Sequence, residues 1–399
     1  MSNQPLFETT DAAREADKHY VAGTYARFEP VFVHGKGSLL FDHDGKRYID
    51  LGSGIAVNSF GFCDATWQQA VIRQLSTLQH TSNLYYTQPC ARLAEMLCQR
   101  TGMRKVFFSN SGAEANECAI KVARKYAAEK KGSEYSTVIT LQNSFHGRTL
   151  TTLAATGQAH YHELFCPLTP GFAHVPANDV AAMEEAVATH KVAGILLECV
   201  QGEGGVIALD GDYLRAVEAI ARREDIVLMI DEVQTGNGRS GSLYAYMRAG
   251  ITPDVVTTAK GLGAGLPIGA ALLGERVERV LGFGDHGSTF GGNPVACAGA
   301  LSVLERLDDA FLATVEQKSA YIFEQLKGAK GILSVTGMGL MIGLECEKPA
   351  AEVVKACMQA GVLCLTAKHK VRLLPALNIP MEALTEAISV IKRVCAEQE

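Results

Sequence analysis

The sequence predicts an α/β protein in which a largely parallel sheet, covered by helices on both faces, is followed by a smaller α+β domain. Three observations carry this expectation. Short apolar runs recur through the middle of the chain, at 106–110, 137–141, 194–200, 226–232 and 255–259. Helix-like stretches such as 113–130 and 213–223 lie between them. From about residue 305 the pattern changes to a helix, several short strands and a last helix. Apolar runs without polar alternation are buried on both faces, as strands joined by helical crossovers are.

In chain order, residues 30–50 read as short strands broken by turns at 35–37 and at Asp44-Gly45. The alternating helix and strand region begins near residue 66. The late unit consists of a helix over 310–327, strands over 334–345 and 362–365, a last strand near 371–374 and a helix over 381–396. The expected division is an N-terminal segment, 1–65, joining the small domain, a large domain over 66–304 and a C-terminal small domain over 305–399. No internal repeat or low-complexity segment interrupts it.

With 399 residues, 47% hydrophobic and 20% charged, the chain suits a folded protein. A net charge of −6 and the lack of a basic tract argue against nucleic acid as a partner. No apolar run is long enough to span a bilayer, and the polar, acidic start MSNQPLFETTDAAREADKHY has no signal core, so a cytoplasmic location is expected. The 11 cysteines are scattered without CxxC spacing, which reads as small buried hydrophobes in a reducing compartment.

In an open α/β sheet, ligands sit at the carboxyl ends of the strands. Ser109-Asn110-Ser111-Gly112 runs from a strand straight into a helix, so Ser111 is either a plain N-cap or part of an anion site made with Gly112 and Ala113. Asp231 ends a buried apolar run and needs a cation or strong donors. A protonated ring nitrogen, a capped loop or a metal would each serve, although no His/Cys/Asp cluster supports metal. Lys260 ends another run beside a glycine-rich loop, where it is either a snorkelling structural lysine or a desolvated Schiff-base amine. Arg148 and Arg372 sit at element ends and offer planar forks for carboxylates, or surface salt bridges. His146 reads as a structural hydrogen-bonder. Glu198 needs a cationic partner, for which Arg372 is the candidate.

In this order and at these spacings, the motifs resemble the class-III, fold-type-I aminotransferases over nearly the whole chain. The resemblance rests on residues 110–117, Phe145-His146-Gly147-Arg148, Gln201-Gly202-Glu203-Gly204-Gly205, Asp231-Glu232-Val233-Gln234-Thr235-Gly236, Thr258-Ala259-Lys260-Gly261 and residues 286–294. It implies a large domain with a mainly parallel seven-stranded sheet and the cofactor pyridoxal 5′-phosphate (PLP). The cofactor-binding set so implied is Ser111, Gly112, Ala113, Phe145, Asp231, Glu232, Val233, Gln234, Lys260 and Thr289. Lys260 would bind the cofactor and move the proton, and Asp231 would hold the ring nitrogen protonated. Arg148, Ser288 and Arg372 would meet substrate. Glu198 would neutralise Arg372 in one half-reaction and withdraw in the other. Thr289 would act from the second subunit of a homodimer.

Residues 52–58 and 80–86 look like the branch of the family that uses acetylornithine with 2-oxoglutarate in arginine biosynthesis, together with its succinylornithine-using relatives. A glycine at position 54, where ornithine-using members carry tyrosine, favours an acylated amine. Other ω-aminotransferases of the same class, using succinylornithine, ornithine or γ-aminobutyrate, are the nearest rivals. A nucleotide-dependent oxidoreductase is a more distant one, weakened by the absence of GxGxxG, and a non-catalytic PLP-binding relative is another. The chain departs from the family at Gly61-Phe62-Cys63-Asp64-Ala65, where Gly-His-x-His-Pro is usual, and at Cys199, where proline commonly follows the glutamate.

Overall fold

The computed structural model describes residues 6–397; residues 1–5 and 398–399, the extreme ends of the expected terminal segments, lie outside the described residues. Seven strands form the central sheet: β1 (Lys105–Ser109), β2 (Thr137–Leu141), β3 (Phe172–Val175), β4 (Val192–Leu197), β5 (Val227–Asp231), β6 (Val255–Thr258) and β7 (Gly269–Leu273). Their order is β1-β7-β6-β5-β4-β2-β3. Neighbours run parallel except at β7, which is antiparallel to both β1 and β6.

The apolar runs were buried on both faces for a visible reason. Along β5, Val227 and Met229 enter one core beside Ile120 and Val122 of the helix Gly112–Lys130, while Leu228 and Ile230 enter the other beside Val217 and Ile220. Successive strand residues point to opposite faces, so both must be apolar.

Two strands were not expected. β7 reads Gly-Ala-Ala-Leu-Leu, poor in β-branched and aromatic residues, yet it is wholly buried. Its small residues fit because a helix lies close above it: a Cβ on Gly269 would meet the Ser111 carbonyl oxygen at 2.2 Å. β3 is a half-buried edge strand of only four residues, Phe-Ala-His-Val, too short to show a strand period.

The strands Phe32–Lys36, Leu39–Asp42 and Arg47–Asp50 form an antiparallel meander, and the last pairs in parallel with Val362–Leu363 from the far end of the chain. The run 334–345 is not one strand but a hairpin, Ile332–Met338 and Met341–Cys346. Gly339 turns it at φ +58°, where a Cβ would meet the Arg239 carbonyl oxygen at 2.4 Å. Arg239 is itself fully buried, and its Nη1 donates to the carbonyls of Leu340 and Pro375. This hairpin pairs with Lys370–Leu373, the strand that carries Arg372. Seven of the eleven cysteines are buried. Among the described residues, no helix is long and apolar enough to cross a membrane.

Candidate active site

A cavity of about 420 Å³ opens at the carboxyl ends of the strands, as the topology requires. Its lining brings together Ser111, Gly112, Ala113, Phe145, Arg148, Glu198, Asp231, Val233, Gln234 and Lys260.

On one wall, Ser111 caps the helix Gly112–Lys130 by accepting from the Glu114 N–H. The N–H groups of Gly112 and Ala113 lie in the first turn, where no intrahelical acceptor exists and the helix dipole favours an anion. Gly112 has no room for a side chain, because a Cβ would lie 2.6 Å from Cγ1 of Val233. Gly147, at φ +140°, is equally tight, its Cβ meeting Thr152 Oγ1 at 2.5 Å and Ala113 Cβ at 2.8 Å.

Asp231 ends β5 and is held by three donors. Its Oδ2 accepts from Asn116 Nδ2 and lies within hydrogen-bond distance of His146 Nδ1, both at 2.8 Å, and its Oδ1 accepts from the Val233 N–H at 3.0 Å. Asn116 follows Gly112 by one helical turn and so faces the same cavity, a spacing legible in the sequence. Among the described residues, the other ring nitrogen of His146 is buried without a partner.

Lys260 follows β6 at φ +46° and projects into the cavity from a short 3₁₀ turn. Desolvation draws its amine below the usual lysine range and Arg372 adds to this, against the opposing charges of Glu203, Asp231 and Glu198.

Four expected site residues stand elsewhere. Glu232 does not line the cavity: strand alternation turns it to the opposite face from Asp231, where its carboxylate accepts from Thr235 Oγ1 at 2.5 Å and the Tyr246 N–H at 2.8 Å. Ser288 and Thr289 lie outside the lining of this single chain, Ser288 beside Asn110 Nδ2 at 3.2 Å and Thr289 exposed. Arg372 sits behind the wall, 3% exposed, donating from Nη1 to Glu203 Oε1 at 2.6 Å and to Gln234 Oε1 at 3.2 Å.

The expected pairing of Glu198 with Arg372 is therefore corrected: Glu203 makes it. Glu203 lines the cavity, and although burial raises its carboxyl, the charge and hydrogen bond of Arg372, with Lys260 and Gln234, bring it below the usual range. Glu198 instead accepts from the N–H groups of Phe145 (3.0 Å) and Gly202 (3.3 Å). Burial pushes its carboxyl up to about 7 against the charge of His146. The sequence run that contains both glutamates does not reveal which one reaches across, since a tight turn between Val200–Gln201 and Ile207–Ala208 decides it.

An anion-binding helix end, a donor-braced carboxylate and a desolvated amine line one cavity, and glycines keep it clear at two close approaches. These residues fit PLP, whose phosphate, ring nitrogen and aldehyde call for those three partners.

The family described as aminotransferase class-III matches residues 20–395 of this chain. An acetylornithine aminotransferase of Haemophilus ducreyi is 51% identical over 391 residues, covering 98% of this chain and 100% of the relative. Among solved structures, an ornithine aminotransferase from Toxoplasma gondii aligns with a TM-score of 0.93 at 32% identity, covering 98% of this chain and 96% of that one. An N-acetylornithine aminotransferase from Stenotrophomonas maltophilia aligns with a TM-score of 0.82 at 33% identity, covering 95% and 97%.

Proposed function

Because this chain belongs to the class-III aminotransferases, we propose that it transfers the δ-amino group of N2-acetyl-L-ornithine to 2-oxoglutarate, giving N-acetyl-L-glutamate 5-semialdehyde and L-glutamate, with PLP as cofactor. The observation that carries the reading is one cavity holding the desolvated Lys260 and the braced Asp231, with Arg148 on its lining and the Glu203–Arg372 pair at its wall. When bound, PLP supplies an aldehyde that exchanges amines and a ring that draws electrons from the carbon bearing the amine.

The chain's own residues do the rest. Gly112 and Ala113 N–H groups hold the phosphate. Asp231, oriented by Asn116 and His146, keeps the ring nitrogen protonated. Val233, Phe145 and Gln234, which line the same cavity, would hold the ring. Lys260 would hold the cofactor covalently until the donor's amine displaces it, and the freed Nζ, which burial keeps from being protonated as readily as an ordinary lysine, would then take the proton from Cδ of acetylornithine.

Arg148 takes the carboxylate of acetylornithine. In the second half-reaction it takes the distal carboxylate of 2-oxoglutarate, whose α-carboxylate goes to Arg372. Glu203 neutralises Arg372 during the first half and must give it up in the second, so one site serves two charge patterns. Gly54 supports an acylated donor. It stands at φ +63° within a run, Ser53 to Ala56, that is left-handed throughout. Having no side chain, it offers no group to hold a free α-amine.

A homodimer is part of the reading. Leu84, Tyr86 and Phe290 are strongly exposed apolar side chains near the loop that carries Ser288 and Thr289. A partner surface would bury them and bring Thr289 to the other site. The cytoplasm is the location proposed with it. Steady-state rates with acetylornithine, succinylornithine, ornithine and γ-aminobutyrate against 2-oxoglutarate test the substrate. Acetylornithine is expected to give the highest kcat/KM, and a place among the poorest donors removes it.

A further inference from the structure

Arg148, the cation assigned above to the substrate carboxylate, makes no hydrogen bond or ion pair among the described residues. What it has instead are two rings. Its Cζ lies 4.8 Å from the ring centroid of Tyr161 and 5.7 Å from that of Phe145. The two rings meet at 5.9 Å and 68°, close to edge-to-face.

We infer that Tyr161 is the positioning residue for the substrate carboxylate, its ring holding the Arg148 fork beside the Phe145 ring that packs on the cofactor. This rests on the assignment of the carboxylate to Arg148. An exposed arginine has much rotamer freedom to lose when it grips a ligand, and prior immobilisation removes that cost. An acidic partner would immobilise it only by occupying the donors that the substrate needs. An aromatic face attracts the guanidinium through its π-cloud and leaves all five N–H donors available. Without an acidic partner, Arg148 can take a carboxylate in both half-reactions, whereas Arg372 must first give up Glu203.

Tyr161 is itself held. It ends the 3₁₀ turn Ala159–Tyr161, its N–H donates to the Gln158 carbonyl, and Gln158 Nε2 donates to the Ser144 carbonyl beside Phe145. The His160 ring lies 4.0 Å from the Tyr161 ring. His162, whose Nε2 is 2.9 Å from the Leu153 carbonyl, ties the far side of the turn to the helix Leu150–Ala155 that follows Arg148. The loop carrying Tyr161 and the loop carrying Arg148 are therefore one assembly. Because both amine donor and 2-oxoglutarate place a carboxylate on Arg148, the ring serves both half-reactions.

The test compares acetylornithine with N-acetylputrescine, the same molecule without its carboxylate. The first half-reaction of the PLP-loaded enzyme is followed alone by cofactor absorbance. The unmodified enzyme prefers acetylornithine, and Arg148→Ala is expected to abolish that preference. Tyr161→Ala is expected to lower kcat/KM for acetylornithine by about tenfold through KM, the scale of a cation–π contact, with N-acetylputrescine changed less than twofold. Tyr161→Phe restores the preference, since the ring and not the hydroxyl acts. If Arg148→Ala leaves the preference intact, the carboxylate assignment fails and the inference falls with it. If Arg148→Ala abolishes it while Tyr161→Ala slows both donors equally, or neither, Tyr161 has no positioning role.

Discussion

Arg372 and Glu203 are joined by a 2.6 Å contact between Nη1 and Oε1, and the arginine side is almost sealed from solvent. A buried cation stripped of its partner is strongly destabilised and seeks another anion. Glu203→Gln is therefore expected to strengthen 2-oxoglutarate binding by about tenfold and to raise the rate with glutamate as donor, eroding the preference for acetylornithine. Glu198→Gln should leave that preference unchanged, because Glu198 bonds to Phe145 and Gly202 rather than to the arginine. Equal effects from the two variants in a donor panel would sink the assignment.

Lys260 is the amine on which the proposed chemistry depends. Borohydride treatment of the loaded enzyme should fix the cofactor to the peptide VVTTAKGLG, as mass spectrometry of a digest would read. Lys260→Ala should retain noncovalent PLP, show no reducible linkage and lose activity by roughly a thousandfold or more, in the range of a lost acid–base group. A label on any other lysine would overturn the mechanism.

Gly112 and Val233 leave no space between them: a Cβ on the glycine falls 2.6 Å from Cγ1 and 2.8 Å from Cγ2 of Val233. Overpacking of this kind costs about 1–3 kcal/mol. Gly112→Ala pushes the helix start and Val233 apart, so PLP affinity should fall about tenfold, a loss near 1.4 kcal/mol. Thermal stability of the apoprotein should fall less. Unchanged affinity in equilibrium dialysis would mean that the helix start does not hold the phosphate.

How much of this was legible follows from what a sequence encodes. Lys260 and Asp231 were readable because each ends an apolar run, and the end of a buried strand is a place fixed by the fold. The strand Gly269–Leu273 was not, since alanine and glycine carry no strand signature and only the tight approach of Ser111 explains them. Glu232 was misjudged by adjacency: its neighbour Asp231 faces the cavity, so alternation turns Glu232 away. Glu198 draws the pairing in the sequence because it ends a clear strand, whereas Glu203 reaches Arg372 only through a turn whose path the sequence does not spell out. Tyr161 contacts Arg148 from thirteen positions away, across a short helix and a turn, a juxtaposition without periodicity.

Glu232 offers a pH test away from the chemistry. Burial pushes its carboxyl up to about 7 from an ordinary 4.5, against the donors Thr235, Tyr246 and Ala245. Between those values the folded chain holds a proton that the unfolded chain releases, so ν_U is below ν_N and stability falls as pH rises. This contribution amounts to at most about 3 kcal/mol between pH 4.5 and 7. Denaturant melts of Glu232→Gln should show a flatter decline over that window than the unmodified protein. Parallel profiles would show that Glu232 does not titrate there.

The last prediction concerns the second subunit. Thr289 is exposed in one chain and absent from the cavity that contains Lys260, so its proposed role requires a partner. Consider one stock of Lys260→Ala protein and one of Thr289→Ala protein, each impaired in both of its sites. After subunits exchange, a hybrid dimer contains one site with neither residue. Its other site takes Lys260 from the Thr289→Ala subunit and Thr289 from the Lys260→Ala subunit, which makes it complete. Mixing should therefore raise PLP affinity and activity above the sum of the separate stocks, with up to one restored site per hybrid dimer. If Thr289 served its own chain, every Lys260-bearing site in the mixture would still lack it, and no gain would appear. The experiment reads geometry through arithmetic: complementation occurs only when the two residues of one site come from different chains.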